Sequence, residues 1–159
     1  MSKVQRIIMS LGFIGYILFL AFYMFFQSRG AAGMSLSLFE YIQSRSNLIP
    51  FKTIANYITA LQEGTMNTWT AVKNLLGNVL VFTPMGIFLP ALFRKLDRLR
   101  AFLLAFVLII LSAEVAQLLT QRGSFDIDDF ILNLFGAWLG FKVWVTSLVQ
   151  KWVGRRSYE

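Results

Sequence analysis

Apolar residues fall into four long runs. Ile7 to Phe26 carries no charge, and Ala71 to Phe93 holds Lys73, Asn74 and Asn78 near its start. Ala101 to Leu119 is apolar except for Ser112, Glu114 and Gln117, and Ile131 to Val149 contains Asn133 and Lys142. Crossing ~30 Å of hydrocarbon takes roughly 20 mostly apolar residues. The pattern therefore predicts an all-α, polytopic membrane protein. One domain over residues 1–159 would have four transmembrane helices at about 7–26, 71–93, 101–119 and 131–149.

The first run follows Lys3 and Arg6, as in a signal peptide, but it exceeds the roughly 7–15 residues of a cleavable segment. The small residues Ala31-Ala32-Gly33 lie too far downstream for cleavage, so the run reads as an uncleaved signal anchor. The long connection 27–70 also carries structure. Ser37-Leu38-Phe39-Glu40 fits a capping box that starts a short helix. Pro50 suits the first position of another helix. Beyond it Phe51, Ile54, Ala55, Ile58 and Leu61 share one helical face, with Lys52, Asn56, Thr59 and Glu63 elsewhere. Such a helix lies either on the outer leaflet or over the bundle. Pro84 predicts a kink in the second span and Pro90 its end. Gly136 and Gly140 have the GxxxG spacing that permits close helix approach.

Composition sharpens this picture. Hydrophobic residues make up 57% and charged residues 14%, far from an ordinary soluble domain. The chain has 15 Lys and Arg against 8 Asp and Glu, a net charge of +7. In a soluble protein that balance would raise nucleic acid as a partner. Here it labels topology instead. Lys3, Arg6, Arg94, Lys95, Arg98, Arg100, Lys151, Arg155 and Arg156 would share one side on short segments. Arg29, Arg45, Lys52, Lys73 and Arg122 would share the other, on longer ones. Both termini are therefore expected on the cytoplasmic side, with Lys142 snorkelling toward the same face. No nucleic-acid partner is needed. The chain has no His and no Cys. That excludes a Cys/His zinc site, a thiol nucleophile, a disulfide and a Ser-His-Asp triad.

The remaining polar residues gather on the predicted outer side. Asn74, Asn78, Glu114, Gln117, Arg122, Asp126, Asp128, Asp129 and Asn133 all fall there, and half of the acidic residues lie within positions 114–129. Asn74 and Asn78 are four apart and Glu114 and Gln117 three apart, so each pair shares a helix face. Asp129 and Asn133 would do the same if the fourth helix starts early. A lipid-facing carboxylate at this depth would cost roughly 3 kcal/mol on insertion scales. Glu114 therefore faces the bundle or a wet cleft and needs a partner or a proton. Arg122 cannot balance four carboxylates alone, which points to a metal ion or a cationic ligand group among the ways to complete the site. Structural alternatives stand beside these. Asp126 or Asp128 would serve as a helix cap, Arg122 as an ion-pair strut, and Asn74 and Asn78 as interhelical hydrogen-bond glue.

The motif blocks are Asn47-Leu48-Ile49-Pro50-Phe51; Asn74 to Asn78 with Phe82, Pro84-Met85-Gly86 and Leu89-Pro90; Glu114-x-x-Gln117; and Arg122 through Asp126-x-Asp128-Asp129 to Asn133-x-x-Gly136. Over about residues 47 to 141 they resemble the VanZ-like family. The resemblance implies a small polytopic protein of the bacterial cell membrane and a role in resistance to glycopeptides such as teicoplanin. It carries over Asn47, Pro50, Phe51, Asn78, Pro84, Glu114, Gln117, Arg122, Asp126, Asp128, Asp129 and Asn133 as motif residues.

Three functional readings follow. In the first, an outer-leaflet site binds or modifies an envelope lipid or a lipid-linked cell-wall precursor. Glu114 acts as general acid or base. Asp126, Asp128 and Asp129 hold a divalent cation or an amine, and Arg122 pairs a phosphate. Asn47, Asn74, Asn78, Gln117 and Asn133 line the ligand site. In the second, the protein binds a lipid or the lipoglycopeptide without catalysis, through the stretch Phe51–Leu61. The third is transport of a lipid or small solute, for which no inverted repeat is visible.

Overall fold

The computed structural model describes residues 1–26 and 37–153. The charge labels Arg29, Arg155 and Arg156 and the Ala31-Ala32-Gly33 cluster lie outside them. Eight α-helices account for most of the described chain: α1 (Lys3–Phe26), α2 (Leu38–Arg45), α3 (Lys52–Gln62), α4 (Thr68–Phe82), α5 (Met85–Leu92), α6 (Leu99–Leu119), α7 (Ile127–Trp144) and α8 (Ser147–Trp152). Lys3–Phe25, Thr68–Leu92 and Leu99–Leu119 are long and apolar enough to cross a membrane. An all-α membrane protein is the result.

The expected fourth span is redrawn. α7 starts earlier than residue 131, because Asp126 caps it by accepting the N–H of Asp128 at 2.9 Å. It ends at Trp144, and the rest of the apolar run turns at Val145-Thr146 into α8. With Asp128, Asp129 and Lys142 in its 18 residues, α7 is less apolar than the other three. The second span is interrupted at Pro84, where a kink was expected, with Thr83 and Pro84 still in helical conformation. α4 ends at Phe82 and α5 begins at Met85, because Pro84 has no N–H to give the Leu80 carbonyl. Pro90 lies inside α5 and does not end it; the chain leaves the helix after Leu92.

α7 is the central element, packed most extensively against α4 and α5. Its glycines set that approach. A Cβ on Gly136 would strike the Val79 carbonyl oxygen, and one on Gly140 the Thr83 carbonyl oxygen. From the other side, a Cβ on Gly86 would strike the Ala137 oxygen and the Phe141 nitrogen. The helix break is thus pressed backbone to backbone onto the GxxxG face. α6 packs against both helices through its aromatic rings: Phe102 stacks on Phe141 of α7 at 4.9 Å, and Phe106 meets Phe82 of α4 edge-on at 5.9 Å. α1 docks by Tyr16, which stacks on Phe88 and donates to the Val81 carbonyl at 2.8 Å. At the end away from α3, Trp144 Nε1 donates to Asp97 at 2.7 Å, and the buried Gln150 donates to the Trp144 carbonyl.

The other end carries a cap formed by α2 and α3. Ser37 and Glu40 make the expected capping box, and hydrogen bonds from Ser37 hold the Glu40 carboxyl below its ordinary range. Ser37→Ala should therefore shift Glu40 titration back upward, which carbon-13 NMR of the labelled carboxyl reads directly. Tyr41 is buried and donates to the Gly123 carbonyl at 2.7 Å, fastening α2 to the α6–α7 connection. A parallel two-residue pairing, β1 (Ser46–Asn47) with β2 (Phe125–Asp126), adds a second fastening that apolar patterning did not signal. Pro50 stands two places before the first helical residue, Lys52, rather than at it: Phe51 is the N-cap of α3, in the left-handed region at φ 65° and without a side-chain cap of its own.

Candidate functional site

A cavity of about 480 Å³ opens beneath this cap. Each wall comes from a different element. α1 contributes Tyr23 and Met24; α4 contributes Lys73, Asn74, Asn78 and Phe82; α6 contributes Glu114 and Gln117; α7 contributes Asp129 and Asn133. Gly123 and Ser124 enter from the α6–α7 connection, Arg45 from the end of α2 and Tyr57 from α3. The helix spacing explains the convergence. Asn74 and Asn78 lie one turn apart on α4, Glu114 and Gln117 one turn apart on α6, and the early start of α7 puts Asp129 and Asn133 on one face.

Six of the sequence-selected residues meet in this cavity: Asn74, Asn78, Glu114, Gln117, Asp129 and Asn133. Asn78 donates through Nδ2 to Asp129, linking α4 to α7. Gln117 donates to the Met24 carbonyl at 2.6 Å, tying α6 to the end of α1. Glu114 is 4% exposed, and its carboxyl has no protein hydrogen-bond partner among the described residues. Asn74 Nδ2 and Asn133 Oδ1 are buried with no partner in the protein. An unpaired buried polar atom costs about 1–3 kcal/mol. Both residues line the cavity, where a ligand met by a shift of these side chains would complete the bonding.

The other selected residues serve elsewhere. Asp128 is wholly buried and caps α3 from outside. Its carboxylate accepts the N–H groups of Phe51, of Thr53 at 2.7 Å and of Ile54 at 3.1 Å. Asp126 caps α7, and it accepts from Thr53 Oγ1 at 2.6 Å and from Asn47 Nδ2 at 3.1 Å. Asn47 is thereby part of the β1–β2 fastening rather than of the cavity wall. The three aspartates thus diverge: Asp126 and Asp128 spend their oxygens on the cap, and Asp129 faces the cavity. Among the described residues no group of three or more carboxylates is placed to hold a metal ion together. Arg122 is exposed on the turn after α6 and is not among the residues lining the cavity. That turn closes by a double bond from the Gln121 and Arg122 N–H groups to the Leu118 and Gln117 carbonyls, with Gln121 at φ 54°.

Sequence reasoning did not select Arg45, Lys73, Tyr23 or Tyr57. Arg45 and Lys73 enter the sequence reading only as charge labels for topology. One signal was present: Lys73 directly precedes Asn74 at the end of an apolar run, where a cation is not needed for solubility. Chemically, the cavity offers two carboxylates, two cations and four amide side chains around a volume large enough for a small headgroup.

The molecule is thus a helical membrane protein with a polar cavity enclosed at one end of its bundle by a short helical cap. It belongs to the VanZ/LLP1 family, whose model matches residues 13–150. It is similar to Protein VanZ of Enterococcus faecium, with 33% identity over 113 residues. That match covers 70% of this chain and 60% of the relative, so the chain spans about three fifths of the relative's length. No solved structure matches it.

Proposed function

We propose that the protein is a polytopic component of the bacterial cell membrane that contributes to glycopeptide resistance, teicoplanin included, by binding or modifying an envelope lipid or cell-wall precursor in the capped cavity. The single observation that carries this reading is the cavity itself. Glu114, Asp129 and two buried amides with unpaired atoms converge there within a bundle that is otherwise apolar. A buried carboxylate with no protein partner is retained in a membrane protein when it meets a ligand or a proton path. In this reading α7 is a fourth pass, the termini are cytoplasmic and the cap faces outward, as the cation distribution favours. Glu114 is the acid or base where chemistry occurs. Asn74, Asn78, Gln117 and Asn133 orient the ligand, Asp129 faces its cationic part, and Asp126, Asp128 and Asn47 hold the cap over it.

The test is protection against teicoplanin in a susceptible bacterial host. Glu114→Gln and Asp129→Asn, at wild-type membrane levels, are expected to abolish most of the protection conferred by the parent chain. Full protection by both variants would remove the cavity from the mechanism.

A second reading is supported by the exposed apolar residues of the segment that leads into α3 and of α3 itself. Leu48, Ile49, Phe51 and Ile58 are each about half or more exposed, an apolar patch suited to the leaflet surface. If the protein instead alters antibiotic access there without using the cavity, Ile58→Asn together with Phe51→Ser should cost protection while Glu114→Gln does not.

A further inference from the structure

Resting on the cavity reading above, the charge layout narrows the ligand. Two cations, Arg45 and Lys73, and two carboxylates, Glu114 and Asp129, line one cavity. No cation among them makes an ion pair with either carboxylate among the described residues. The side chains of Arg45, Lys73 and Glu114 also make no hydrogen bond there. Opposite charges held apart around a common space cannot all be balanced by a purely anionic or a purely cationic ligand. Asn133 adds a third acceptor: it is 3% exposed, and its Oδ1 is buried without a donor.

We infer that the cavity takes a zwitterionic headgroup, with a phosphate seated by Arg45 and Lys73 and a primary ammonium seated by Glu114, Asp129 and Asn133. The guanidinium fork matches phosphate oxygens in pairs, and the lysine adds a point charge at the mouth. A primary ammonium has three N–H donors for the three acceptors. A quaternary amine has none, and a glycerol end carries no positive charge. The phosphate-ammonium unit comes either from a membrane lipid or from a free phosphoamine. The exposed apolar residues Phe51 and Ile58, at the start of and within the helix that lends Tyr57 to the cavity, favour the lipid.

The experiment uses the full chain purified in mild detergent, with retention of the dioleoyl lipids phosphatidylethanolamine, phosphatidylcholine and phosphatidylglycerol read by native mass spectrometry. Phosphatidylethanolamine is expected to bind about tenfold tighter than the other two, the return on one charge-assisted hydrogen-bond set. Asp129→Asn should erase most of that preference. Lys73→Gln, at an exposed position that does not hold the fold, should weaken all three lipids. Free phosphoethanolamine that displaces the lipid would show that the headgroup alone suffices. Failure to displace, with phosphatidylethanolamine still preferred, would assign the site to the intact lipid. Equal binding of phosphatidylcholine overturns the primary-ammonium assignment, and tighter binding of phosphatidylglycerol overturns the zwitterion assignment; either leaves an envelope-lipid site standing. Loss of all lipid binding, with no displacement by any probe, overturns both.

Discussion

Gly140→Val is expected to remove the folded protein from the membrane fraction, whereas Gly15→Val leaves it unchanged. Both are glycine substitutions in apolar helices, so propensity and hydropathy change alike. Their surroundings differ. A Cβ at Gly15 meets nothing within 4 Å. At Gly140 the first carbon would overlap the Thr83 carbonyl oxygen and crowd the Gly86 Cα, backbone atoms that no rotamer change can move aside. Thr83 is further immobilised because its carbonyl accepts the Gly86 N–H at 3.1 Å and its hydroxyl donates to Val79. Overpacking of flexible side chains costs roughly 1–3 kcal/mol. Here the only relief is separation of α7 from α4 and α5, the two helices it packs against most extensively, so the effect should exceed that range. Fluorescence-detected size exclusion of the extracted protein reads it. A monodisperse Gly140→Val protein at wild-type yield would show that the α4–α7 approach is not close.

The same comparison shows what the chain discloses locally. Apolar run length marks the three long helices, because the requirement to span hydrocarbon acts residue by residue. The capping box at Ser37 and the break at Pro84 are local too: each depends on bonds within four positions. The early start of α7 follows from Asp126, whose capping role was one of two open readings. Pairings that depend on distant chain were not legible. Asp128 meets backbone donors 74 to 77 positions away, and a carboxylate with that purpose is indistinguishable in sequence from one bound to a ligand. The cavity was half legible. Polar residues in an apolar helix stand out, which identified Glu114 and Asn133. Arg45 and Lys73 lie where cations are ordinary, so only the fold brings them to the same space.

The division of labour among the carboxylates links fold and site. Asp126 and Asp128 face backbone and hydroxyl donors of the cap; Asp129 and Glu114 face the cavity. The roof of the cavity, including Tyr57, is therefore only as firm as the bonds that the Asp126-Asp128 pair makes to the start of α3. Site geometry and cap stability share one hinge point, and a carboxylate outside the cavity controls a wall inside it.

Asp128→Ala should accordingly release α3 without unfolding the bundle. The left-handed Phe51 provides no side-chain cap, so the first N–H groups of α3 depend on this one carboxylate. Its removal leaves three donors unpaired around a fully buried position, and the expected loss is roughly 2–4 kcal/mol from hydrogen bonds to a charged group. That energy is local, because α3 has no fully buried residue and packs mainly on α4 and α7. Hydrogen–deuterium exchange should show residues 52–62 exchanging much faster, while α6 and α7 keep wild-type protection. Asp128→Asn should give an intermediate result: its Oδ1 still accepts one N–H, but its Nδ2 confronts another donor. Antibiotic protection should fall with the exchange of α3 rather than with membrane level. Glu114→Gln is expected to lose protection with α3 exchange unchanged, so the pair separates a carboxylate that holds the roof from one that meets the ligand. Unchanged exchange over α3 in Asp128→Ala would mean that the cap is held by the β1–β2 pairing and Tyr41 alone.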